Sequence, residues 1–175
     1  MKIRRGLAKL VAATLVCWLL EPLPVFPGSA VLPKPGSRLP RTARPTGKFI
    51  MIQSADVAEE FTLSVEGRVF SLGVSSKRRV SHIETRDPQF TTPEGVRVGS
   101  LVSTALNVHG ARFGQWPGCF AFVVLPSGWA AGFWPVQTDP SKPASGKPIY
   151  MELKTAADVP DTMPVGFVFK SIYLR

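Results

Sequence analysis

Residues 119–134 read CFAFVVLPSGWAAGFW, and the choice of fold turns on them. In a strand, successive side chains point to opposite faces. Phe120, Phe122 and Val124 then share one face, and Cys119, Ala121, Val123 and Leu125 the other. Both sets are apolar, the pattern of a strand covered on both sides. Pro126-Ser127-Gly128 follows as a three-residue hairpin loop, with Gly128 where a positive φ is needed. Trp129–Trp134 returns antiparallel, so residues 119–134 predict a central β-hairpin.

Working toward the N-terminus, Phe61, Leu63 and Val65 alternate with Thr62, Ser64 and Glu66, the period of a half-buried strand. Gly67-Arg68 offers a turn into Val69–Val74, where Phe70, Leu72 and Val74 share a face. Val80–Thr85 and the short run Phe49–Ile52 read the same way. The one helix signal is Ser100–His109: Ser100 as N-cap, an apolar stripe through Leu101, Val102, Ala105 and Leu106, and Gly110 as a left-handed stop. Toward the C-terminus, the Pro-rich stretch 135–148 reads as a surface loop, and Ile149–Leu153 and Phe167–Leu174 as the last strands. The expected class is α+β: mainly antiparallel β-sheet with one short helix at about 100–109.

The flanks predict an exported chain. Lys2, Arg4, Arg5 and Lys9 precede the uncharged run Leu10–Leu20, which is followed by three prolines and Gly28-Ser29-Ala30. This is the order of a secretory signal peptide over 1–30, cleaved after Ala30. Eleven helical residues span about 17 Å, short of the ~30 Å apolar core of a bilayer. Arg4-Arg5 also fits a loose twin-arginine route. Cys17 follows Leu15-Val16, where a lipobox needs a small residue, so no lipid anchor is expected there. Removing 1–30 leaves 17 Lys and Arg against 11 Asp and Glu, a net +6 rather than +9, with Cys119 as the sole thiol and no internal disulfide. Residues 31–48, VLPKPGSRLPRTARPTGK, carry five cations, four prolines and no acid. They predict a disordered basic linker, whose partner would be an envelope protein, an anionic polymer or a membrane surface. Nucleic acid is not expected, since no base-stacking motif interleaves with the cations. A single domain is expected over 49–175.

No convergent catalytic set stands out. Cys119 lies in an apolar strand, where burial raises a thiol pKa, so it is expected to be structural. His82 and Glu84 share a strand face and are expected to be solvated there. His109 suits a helix C-terminus. Ser127 sits at a hairpin tip without a nucleophile elbow. Two histidines and one cysteine give no metal-ligand spacing, and no cofactor fingerprint is present. Trp116, Trp129 and Trp134 cluster with Phe113, Phe120, Phe122 and Phe133, as core or as a binding platform.

The run Asp87–Ser100, DPQFTTPEGVRVGS, followed by a short helix and by Leu125-Pro126-Ser127-Gly128-Trp129, resembles a motif of bacterial exported (periplasmic) proteins of unknown function. The resemblance covers about residues 80–135 and implies no catalytic residue. A looser likeness to small outer-membrane assembly lipoproteins and lysozyme inhibitors lacks the former's lipobox and the latter's disulfide. The expectation is a non-catalytic cell-envelope binding module. Its surface would be the loop around Arg86, Asp87, Thr92, Glu94 and Arg97 with the tip at Ser127 and Trp129. The alternative is a small periplasmic hydrolase or thiol enzyme using Cys119 or Ser127 with a histidine.

Overall fold

The alternation over residues 57–74 folds into the hairpin it implies. The computed structural model of the chain describes residues 31–51, 56–116, 120–137, 149–150 and 153–174. The expected signal at 1–30, Cys119 and residues 138–148 of the expected loop lie outside them. In chain order the strands are β1 (Arg44–Met51), β2 (Val57–Val65), β3 (Arg68–Val74) and β4 (Val80–Thr85). The one α-helix among the described residues, α1 (Val102–Leu106), comes next. After it come β5 (Arg112–Gln115), β6 (Ala121–Val124), β7 (Ala130–Phe133), β8 (Val136–Gln137), β9 (Ile149–Tyr150), one 3₁₀ turn (Ala156–Asp158) and β10 (Phe167–Ser171).

Eight strands form one antiparallel sheet in the order β1-β2-β3-β4-β10-β7-β6-β5, while β8 pairs with β9 separately. The β2–β3 turn is Glu66-Gly67, with φ of +51° and +78°, the two-residue loop whose twist matches its strands. Four consecutive strands thus run from β1 to β4, three run from β5 to β7, and the C-terminal β10 joins them. Val168 stands opposite both Thr85 and Ala131.

The expected two-faced strand is observed at β6. Ala121 and Val123 join the larger apolar cluster with Phe61, Leu63, Leu72, Ile83, Phe133 and Val168. Phe120 and Phe122 join a second cluster with Phe167 and Phe169. The second face is tightly packed: a Cβ at Gly132 would run into the ring of Phe167, so any side chain there must push that ring aside.

Three expectations are corrected. Residues 31–48 are not a free linker: Ala43 is buried, Leu32 and Leu39 pack on the larger cluster, and residues 44–48 belong to β1. The backbone is pinned as well, with Gly36 N–H donating to Val80 O (2.7 Å) and Val80 N–H to Ser37 O (2.9 Å). The few apolar groups in this segment were enough because they close the end of an existing core rather than build their own. The helix is shorter than 100–109, and Ser100 does not cap it. Leu101 holds the N-cap position without a side-chain bond, and Ser100 Oγ instead accepts the Arg97 N–H at 3.2 Å. His82 and Glu84 are not solvated: all six residues of β4 are buried, because β10 makes it an inner strand.

Candidate functional site

The loop between β4 and α1 and the β6–β7 tip do meet, and Glu94 joins them. Its Oε1 accepts the Ser127 N–H at 2.6 Å and its Oε2 accepts the Ser127 hydroxyl at 2.9 Å. Burial pushes the Glu94 carboxyl up, but these two bonds outweigh it and hold the group below its ordinary range. Thr92 is buried and closes the turn that carries Glu94: its Oγ1 accepts the Val96 N–H, and its own N–H donates to Val96 O. Phe90 packs between Phe70 and Trp129, at centroid distances of 5.4 and 4.7 Å. Lys170 Nζ donates to Ser127 O at 3.1 Å and sits 4.9 Å over the Trp129 ring. Burial lowers the pKa of Lys170, against the pull of Glu94.

Thr92, Glu94, Ser127 and Trp129 therefore form a fastening rather than an open receptor. Trp129 is only 5% exposed and offers no platform. Ser127 spends its hydroxyl proton on a carboxylate and contacts no histidine among the described residues. The other three expected residues take no part in this fastening, although Arg97 pairs with Thr91 at the foot of the same turn. Arg86 Nε donates to Glu84 Oε1 at 2.9 Å, and its guanidinium covers Trp134 at 5.1 Å. Asp87 Oδ1 accepts the Gln89 N–H, and Arg97 is exposed.

His82 is wholly buried and stacked on Phe169, with centroids 5.3 Å apart. Its Nε2 lies 3.5 Å from Glu84 Oε2, yet neither ring nitrogen makes a well-formed hydrogen bond among the described residues. Desolvation raises the Glu84 pKa, but His82 and Arg86 together bring it below the ordinary value. His109 is exposed beyond the end of α1. Among the described residues no three His, Cys, Asp or Glu side chains gather to hold a metal ion. No helix among them is long and apolar enough to cross a membrane.

A different surface arises where the N-terminal segment crosses the β3–β4 turn. Arg38 bridges to Arg79, whose Nη1 donates to Gly36 O at 2.8 Å, and Leu39 N–H donates to Arg78 O at 3.0 Å. This sets Arg38 beside Lys77, Arg78 and Arg79, all exposed. No salt bridge among the described residues neutralises any of the four. The run Lys77-Arg78-Arg79 is a local charge signal that the sequence reading did not single out. Its junction with Arg38 has no such signal, because nothing local says that residues 31–43 fold back. In comparisons with protein-family models, curated proteins and solved structures, nothing matches this chain.

Proposed function

We propose that this protein is a non-catalytic, exported domain of the cell envelope that binds an anionic partner through the surface where residues 36–41 meet the β3–β4 turn. The observation that carries the proposal is the gathering of Arg38, Lys77, Arg78 and Arg79 from two distant parts of the chain without a salt-bridging acid among the described residues. Clustered cations of this kind raise the local concentration of anionic ligands and are screened by salt. The basic start and apolar run of residues 1–30 support export. A hydrolase built on Ser127 has less support, since the hydroxyl is engaged by Glu94 and His82 is sealed inside the sheet.

The test is retention on isolated envelope material. The purified protein is expected to be held at low ionic strength and released at about 1 M salt, where the Debye length falls to about 3 Å. Failure to be retained at low salt sinks the proposal. Retention that survives high salt sinks its electrostatic basis.

A further inference from the structure

The cationic surface does not stand alone. A groove of about 600 Å³ runs along the same end of the sheet, lined by Phe49, Val57, Ile172 and Tyr173 together with Gly36 and Arg79. Its apolar side chains are unusually open: Phe49 is 71% exposed and Val57 62%. Met51 is also exposed nearby on the edge strand β1. Two acids, Asp56 and Glu59, line the groove with Arg79, while Lys77 and Arg78 follow its lining residues Ser75 and Ser76 along the turn.

The β3–β4 turn carries a further sign. It has the same backbone as the β6–β7 tip: Ser75 N–H donates to Arg79 O and Arg78 N–H to Ser75 O, as Leu125 N–H donates to Trp129 O and Gly128 N–H to Leu125 O. The tip places a glycine at the left-handed position, with φ of +79°, whereas the turn places Arg78 there, with φ of +57°. An arginine thus occupies a conformation that suits glycine better, and from there its guanidinium lies 5.1 Å over the Phe61 ring while the residue stays exposed.

Exposed aromatic and aliphatic side chains beside cations without a salt-bridging acid match the boundary of an anionic bilayer, where headgroups meet charge and acyl chains meet apolar groups. A soluble anionic polymer offers nothing to Phe49, Val57 or Ile172. We infer that the anionic partner is a phospholipid surface and that this end of the sheet docks on it, with Arg38, Lys77, Arg78 and Arg79 on phosphates and Phe49, Val57 and Ile172 reaching below them. The inference rests on the binding function proposed above and names its partner.

The experiment is co-sedimentation of the full chain with vesicles of phosphatidylglycerol in phosphatidylcholine, against vesicles of phosphatidylcholine alone. Residues 1–30 carry four cations of their own and also favour the anionic vesicles, so the variants of the folded part isolate the proposed surface. Binding is expected to be stronger on the anionic vesicles. Lys77→Glu is expected to reduce that excess on the order of tenfold, and Phe49→Ser about fivefold. Lys77→Glu, at an exposed turn position, should weaken binding while melting no lower than the parent, which separates a binding role from a structural one. Equal binding to both vesicles overturns the inference. So does an excess that Phe49→Ser leaves unchanged, which is the mark of charge alone. Retention on envelope polymers without vesicle binding overturns the lipid assignment and leaves the proposed function standing; absence of both removes the two together.

Discussion

Glu94 is the residue on which the loop and the hairpin tip depend. Its carboxylate takes both the amide and the hydroxyl of Ser127. Hydrogen bonds to a charged group contribute about 1.5–3 kcal/mol each where buried, and less here because Glu94 is half-exposed. Glu94→Gln is therefore expected to cost about 1–2 kcal/mol in urea unfolding near neutral pH. Because the folded carboxyl sits below its ordinary 4.5, its stabilisation is complete above that value and is lost as pH falls through the lower folded one. The gap between parent and variant should close in acid; a gap of equal size at about pH 3 and pH 7 would show that charge plays no part. Gly132 sets a second limit. Gly132→Ala drives a methyl into Phe167 and is expected to cost about 1–3 kcal/mol, read as a lower denaturant midpoint at unchanged slope. Ser127 and Glu94 were both singled out from sequence, yet their bond was not legible. They lie 33 residues apart, and only the closed sheet brings them together.

At the scale of elements, local pattern carried most of what could be read. β2 and β3 follow their alternation, and the β6–β7 hairpin follows its turn chemistry, because both signals lie within a few residues. β5 carries little local signal, since Arg112 and Gln115 are polar and Gly114 has no side chain. Gly114 is in fact the place where the Phe122 ring lies against the backbone, with no room for a side chain. The segment 31–43 is hard to read for a different reason. Its proline and charge content matches a solvated chain, and its few anchors, Leu32, Leu39 and Ala43, gain value only on a core made elsewhere. Leu39→Asp should therefore cost about 1–3 kcal/mol in a thermal melt, whereas a free linker would tolerate it unchanged. Amide exchange offers a second check. Val80 N–H, which donates to Ser37 O, should be protected in the parent and exchange faster in the variant.

At the scale of the whole molecule, the decisive feature is the place of β10. The sequence favoured an antiparallel sheet but not its order, since alternation marks which residues face inward and not which strand lies alongside. Almost every pairing other than the hairpins spans a long stretch of chain, and β10 must find β4 and β7 at once. Such topologies fold slowly. Refolding from urea is expected on a scale of about milliseconds to seconds, and a mutation in β10 such as Phe169→Ala should slow it as well as lower stability by about 3–5 kcal/mol. A microsecond phase carrying the full amplitude would contradict this order of assembly. There is a consequence for cleavage of the chain. A protease cut that released β10 would strip the partner from one side of both β4 and β7, and raw edges of that kind invite pairing with other molecules and a sticky product.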